Sequence, residues 1–485
     1  MYFILFCLTI LAFSCSRDGM QDIGQDPDQI INSVVLNGSG TVIEVAPGPD
    51  DTQALIDAFS EAAADGKGSV VKLLPGTFEI GMIEVKEFCG TLTGSGKGNT
   101  IITNLPDISP DAVIAQGKLP ALISFVGGDV KVSDLSVQLT LTPWLGGPRE
   151  FNMLLFSDYS IDFMPAKKYI GVQLENIEMA GLRRPVSPFL PFPVTGVRCA
   201  PDIQKNSVGE YPRSNIDITV ANSKFSAFDR GIYVWGCKKG ELRFGTEGGN
   251  IFDGNISGLL VNENLGVHVK IWNNEFYTPS QHYNGIDLNT GEAVLNNINP
   301  LEIIDVDPGT YNICNNIFNV TGPNANAIGL MDTWRVVHPE YPYWMKMIWE
   351  DNTFVLTDKR AFLGWTYCVK NLLFANNTIT GNDVPYSWMM NTNAWWSTVL
   401  PNNSSEGCKF INNHFLRKNF VFLMDLNVNS YLLMGDLTNV IVQDFGEGNM
   451  IIDKMNPNHA NGTNNLEIME LKASEQKMFD QGYDH

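Results

Sequence analysis

The chain has 485 residues, 44% hydrophobic and 18% charged, with 53 acids against 32 bases and a formal net charge of −21. That apolar content supports a large folded core and excludes a disordered chain. The negative charge repels nucleic acid and anionic lipid surfaces, which excludes both as partners.

The chain opens "MYFILFCLTILAFSCSRDG", in which an apolar run over residues 2–13 ends at Ser14 and Cys15. The run is too short to span a bilayer and has the length of a signal-peptide core. Small residues beside a cysteine resemble a bacterial lipobox, which implies cleavage and lipidation at Cys15. No Lys or Arg precedes the run, and Ala12 stands where the lipobox has leucine. An ordinary secretory signal is the alternative, and either one exports the protein. The polar residues 16–29, with Asp18 and Asp22 close behind the cysteine, resemble the acidic start of surface-exposed lipoproteins of the Bacteroides group. The expected organisation is a signal or lipobox at 1–15 and a tether at 16–40. The location this implies is the outer membrane or cell surface, or alternatively the periplasm or medium.

Residues 50–80, "DDTQALIDAFSEAAADGKGSVVKLLPGTFEI", begin with a helix over about 51–65. Ala54, Leu55, Ala58, Phe59, Ala62 and Ala63 fall on one helical face. Asp51 or Thr52 can cap its start, and Gly66 ends it. A strand, "SVVKLLPG", follows. A helix laid over the first coil of a stack shields apolar side chains and unpaired backbone. The acid-acid-Thr start, the Ala-rich helix, "VKLLPGTFEI" and "LTGSGKGNTII" together resemble the N-terminus of the pectate-lyase-like superfamily. The resemblance covers residues 44–103. It implies an all-β fold, a single-stranded right-handed parallel β-helix with an N-terminal capping α-helix, here placed at residues 41–463.

A phrase then repeats: "IWNNEF", "ICNNIF", "WEDNTF", "FANNTI" and "FINNHF". Anchored on Asn274, Asn316, Asn352, Asn377 and Asn413, with weaker copies at Asn176, Asn222, Asn250 and Asn449, the spacings are 46, 28, 24, 42, 36, 25, 36 and 36 residues. The shortest match one coil of a solenoid, and the longer ones a coil with an insertion. Short runs of alternating apolar residues follow, often opened by Gly: "GIYVWG", "GLLVNE", "GIDLNT", "AIGLMD". Each repeat reads as strand, asparagine turn, strand, turn. Stacked coils place equivalent asparagines about 4.8 Å apart. Asparagine tolerates left-handed turns, and its amide both donates and accepts, so a column of them can satisfy itself without water.

Superfamily enzymes depolymerise acidic polysaccharides in a groove along one strand face. Hydrolases there use paired aspartates, and lyases an Arg or Lys base, often with calcium. The polygalacturonase set (Asn-Thr-Asp, Asp-Asp, Gly-His-Gly, Arg-x-Lys) and the pectate-lyase Trp-x-Asp-His are absent, so activity is implied only weakly. The segment "LMDTWRVVHPEYPYWMKMIWED" (330–351) crowds Trp334, Tyr341, Tyr343, Trp344 and Trp349 with Asp332, Arg335, His338 and Lys346, as a loop leaving one coil. Aromatic faces stack on sugars, and cations pair with uronates. Asp287 and Tyr233 take equivalent outward places two after the opening Gly, with Trp235, His282 and Trp365 nearby. The expected catalytic residues are Asp287 and Asp332 for a hydrolase, or Arg335 or His338 as base for a lyase. Tyr233, Trp235, His282, Trp334 and Trp365 are the expected substrate contacts.

No cysteine pair has CxxC spacing, so no zinc site is expected and the later cysteines read as buried thiols. No particular cofactor is implied. The acidic surface is compatible with calcium, although no consensus calcium loop is visible. The polar tail at 464–485 reads as lying outside the stack. The sequence thus points to an exported, lipid-anchored protein whose partner is a polysaccharide, and to a lyase or glycoside hydrolase. The alternative is a noncatalytic glycan-binding or structural lipoprotein; the oligomeric state is open.

Overall fold

The computed structural model describes residues 40–115, 118–140, 151–157, 169–181, 194–200, 214–262, 264, 266–278, 283–286, 293–295, 299–304, 309–321, 325–331, 345–357, 362–367, 372–382, 387–391, 409–416, 420–424, 431–434, 440–444, 450–453 and 467–468. Among them run three all-parallel sheets of 15, 12 and 11 strands, and one two-stranded antiparallel hairpin. One coil shows the plan. Ser214–Ala221 lies in the 15-stranded sheet, Lys224–Ser226 in the 11-stranded sheet and Arg230–Trp235 in the 12-stranded sheet; Cys237–Phe244 then starts the next coil beside Ser214–Ala221. The chain is therefore a right-handed parallel β-helix, the hand that parallel crossovers adopt.

Each full coil has three strands rather than the two read from the sequence. The extra ones, such as "KFS", "IFD" and "EFY", are three residues long and sit directly behind the asparagine turn. Three residues are too few to display a period.

The doubled asparagine divides into two jobs. The first member holds the left-handed backbone: Asn273, Asn315, Asn376 and Asn412 have φ of 51–58°, and Asp351 takes the same place with φ 56°. The second member is buried. The Nδ2 groups of Asn250, Asn274, Asn316, Asn352 and Asn377 donate to the Oδ1 of the next coil's asparagine at 2.9–3.0 Å. The same amide also donates back to a backbone carbonyl, as Asn316 does to Ile271 at 2.7 Å. Each Oδ1 additionally accepts the backbone N–H of the coil before. In Asn274, Asn316, Asn352 and Asn377 all four hydrogen-bonding places of the amide are filled, which removes the penalty for burying it. Asn176 and Asn222 are corrected on this point. Both have φ 53° and so occupy the first place, with Ile177 and Ser223 in the ladder position.

Behind the ladder, Phe225, Phe252, Phe276, Phe318 and Phe354 stack in register with centroids 4.8–5.4 Å apart and planes within 15°. Trp349, expected in a loop, is buried in this interior between Phe318 and Phe374, because Met345–Glu350 is a strand of the 15-stranded sheet.

The helix Asp51–Asp65 covers the first coil. Its buried face is Leu55, Ala58, Phe59 and Ala62, and Phe59 meets Phe88 and Phe125 edge-on at 5.2 and 5.8 Å. The cap is Asp50, which accepts from Gln53 N, and not Asp51 or Thr52. Those two are turned to the stack: Asp51 accepts from Gly48 N and Glu79 N, and Thr52 from Gly81 N. At the other end, Glu467–Ile468 adds to the 15-stranded sheet, so pairing runs past residue 463. No helix among the described residues is long and apolar enough to cross a membrane.

Candidate functional site

Strand alternation sends Ile232 and Val234 into the core, and Tyr233 and Trp235 to the outer side of the 12-stranded sheet. There Tyr233, Trp235, Leu260 and Ala200 form an apolar cluster separate from the core, with Ile304 against it. Register makes the outer face a set of lateral rows. One runs Leu155, Arg198, Tyr233, Leu260 and Glu302, and the same backbone register continues to Gly329 and Trp365. The next pairs Trp235 with Asn262 and Asn262 with Ile304.

The rows start from a glycine column. A Cβ at Gly196, Gly231 or Gly258 would lie 2.5–2.8 Å from a carbonyl oxygen of the following coil. Only glycine allows the backbones that approach.

Tyr233 is the centre of the polar part. The guanidinium carbons of Arg198 and Arg230 lie 4.8 and 4.7 Å from its ring centroid. Such contacts strengthen when desolvated, and Arg198 and Tyr233 are only 7% and 8% exposed. Asn262 Nδ2 donates to the Tyr233 hydroxyl at 3.3 Å. One coil beyond Leu260, Asn299 Nδ2 donates to Glu302 Oε1 at 2.7 Å. The Glu302 side chain keeps some contact with solvent yet is closely surrounded by protein. Burial raises its carboxyl above the ordinary range, against the opposing effects of the Asn299 hydrogen bond and the Arg230 charge. Arg198, Tyr233 and Trp235 thus form a floor, and Arg230, Asn262 and Glu302 reach further into solvent.

On the outer face of the 15-stranded sheet, Lys131 pairs with Glu175 at 2.6 Å and Arg243 with Glu241. Lys270 lies over the Trp272 ring, whose Nε1 donates to Asn312. Among the described residues, no group of three or more His, Cys, Asp or Glu is arranged to hold a metal ion.

Tyr233 and Trp235 therefore lie on one face, as the sequence indicated. Trp365 shares the row of Tyr233 through its strand, Phe362–Tyr367. Asp287, Asp332, Arg335, His338, His282, Trp334 and Cys15 lie outside the described residues. The equivalence of Asp287 with Tyr233 is corrected: Tyr283–Ile286 belongs to the antiparallel hairpin with Ala293–Leu295, and the rung of that coil is Leu301–Ile304. Glu302 holds the place assigned to Asp287. Sequence reading missed Arg198, Arg230, Asn262 and Glu302. For Arg198 and Glu302 the signal was the place two after the glycine column, as in "GVR" at 196–198 and "GIY" at 231–233, with Pro300 holding that column in the Glu302 coil.

No family model matches the chain, and no curated protein matches it. Among solved structures it is similar to the A-module of the mannuronan C-5 epimerase AlgE4 of Azotobacter vinelandii, at 10% identity and TM-score 0.35 over 83% of this chain and 90% of that one. It is also similar to PfbA, a surface adhesin of Streptococcus pneumoniae, at 14% identity and TM-score 0.38 over 78% and 92%. A third is the catalytic unit of a GH87 alpha-1,3-glucanase from Streptomyces thermodiastaticus, at 15% identity and TM-score 0.34 over 85% and 69%.

Proposed function

We propose that the protein is exported, is anchored through Cys15, and engages an acidic polysaccharide along the outer face of the 12-stranded sheet. One observation carries this reading: Arg198 and Arg230 converge on Tyr233 beside Glu302, in a chain whose net charge is −21. Two guanidiniums, that of Arg198 largely desolvated and that of Arg230 nearer to solvent, favour a carboxylate-bearing ligand. The adjoining aromatic and aliphatic floor suits the apolar face of a sugar ring. A polymer laid along the helix axis meets successive rungs about every 4.8 Å.

Cleavage is the favoured outcome of binding. In a lyase, the arginines hold the uronate carboxylate while Arg335 or His338 takes the proton. In a hydrolase, paired carboxylates such as Asp287 and Asp332 act as acid and base. The missing motifs favour a second reading, a noncatalytic surface glycan-binding protein. Purified protein is incubated with uronate-rich and neutral polysaccharides. Unsaturated, ultraviolet-absorbing product supports a lyase and new reducing ends alone a hydrolase. Saturable binding without product supports the second reading. Neither binding nor turnover on uronate polymers sinks both.

A further inference from the structure

We infer that Asn262 is a specificity-determining residue whose side-chain oxygen receives a hydroxyl or amide N–H donor of the bound sugar; this rests on the proposed reading of the same face. An amide offers two donors and an acceptor with two lone pairs. The Nδ2 of Asn262 is engaged with the Tyr233 hydroxyl at 3.3 Å, while its Oδ1 is buried without a partner. The ladder asparagines set the contrast, since every Oδ1 from Asn274 to Asn413 accepts the side-chain amide of the coil before. Asn255 and Asn264, at other turns, also use their Oδ1, accepting from Phe228 N and Cys237 N. A buried acceptor left empty destabilises the unliganded fold. A donor arriving from the ligand recovers that loss, so the orphan selects for a donor at its own position.

The location fits a ligand contact. Asn262 lies beside Trp235 in the ladder and, through Tyr233, adjoins the two arginines. Ser257, opposite Arg230 in the same pair of strands, likewise has a buried hydroxyl without a partner. A carboxylate on the arginines places the neighbouring hydroxyls of the same or the next sugar at these atoms. The selected class is a uronate with a free donor beside its acidic group, as opposed to one blocked there.

The test compares wild type with Asn262→Leu, which keeps the side-chain volume and removes the empty acceptor. Melting is measured without ligand, and affinity with tetragalacturonate and tetramannuronate. The expected result is a melting temperature within a degree of wild type or higher, with roughly tenfold weaker binding of whichever tetrasaccharide wild type holds more tightly. A melting temperature lower by several degrees overturns the inference, because it makes Asn262 a structural contact. Full retention of affinity overturns it too, and leaves the reading of the face intact. Failure of wild type to bind either tetrasaccharide sinks that reading and the inference with it.

Discussion

Asn274 and Asn316 are 42 residues apart in sequence, yet the side chain and backbone N–H of Asn274 both donate to the Asn316 Oδ1, at 3.0 and 2.9 Å. Removing one rung of this ladder strips hydrogen-bond partners from groups on the two neighbouring coils. Asn316→Ala strips acceptors from Asn274 and donors from Ile271 and Asn352. At ~1–3 kcal/mol for each buried orphan, the expected loss is at least about 3 kcal/mol. Asn315, its exposed neighbour at φ 55°, gives the control. Asn315→Ala should cost about 1 kcal/mol more than Asn315→Gly, because only glycine holds the left-handed backbone without strain. Denaturant unfolding of the three variants checks the order; equal losses at 315 and 316 would contradict the division of labour.

That division was not legible in the sequence. "NN" announces a recurring turn, but either residue can be the twisted one, and the ladder geometry decides. The fold itself was legible because a solenoid repeats one solution: the phrase recurs, and Phe276, Phe318 and Phe354 stack as their common position implies. The candidate site was legible only in part. Tyr233 and Trp235 sit in an alternating run with a clear face, whereas Glu302 sits in "LEII", where one acid among apolar residues has no evident face. "GIDL" copies the rung pattern and misled the reading, because it lies in an insertion whose local periodicity equals that of a coil.

The acid pair at the helix start separates in the same way. Asp50 is an N-cap at the surface, and Asp50→Ala should cost about 1 kcal/mol. Asp51 is 5% exposed and accepts two backbone N–H groups, from Gly48 and Glu79, 2.7 and 2.8 Å away. Asp51→Ala should cost about 3 kcal/mol, since hydrogen bonds to charged groups are worth roughly 1.5–3 kcal/mol each. Thermal melts of the two variants decide it, and a larger loss at Asp50 would contradict the assignment.

Glu302 makes a pH-dependent prediction. Its folded carboxyl is raised by burial, so the native state binds the proton more tightly than the unfolded chain. Stability from this group is fully present below the ordinary carboxylate range and falls as pH rises toward the raised value. Glu302→Gln removes the fall. Relative to wild type, the variant should gain stability between pH 4 and pH 7 and show no gain at pH 4. A constant difference across that range would show that the carboxyl is not raised.

The claim that the 12-stranded sheet carries the ligand is tested most directly by comparing the two outer faces. Binding of uronate oligosaccharides is measured by calorimetry for wild type, Arg230→Ala on the proposed face, and Lys270→Ala on the 15-stranded sheet. The account predicts at least tenfold weaker binding for Arg230→Ala, with the loss shrinking as salt rises, and wild-type affinity for Lys270→Ala. Unchanged binding by Arg230→Ala together with a loss in Lys270→Ala would contradict it.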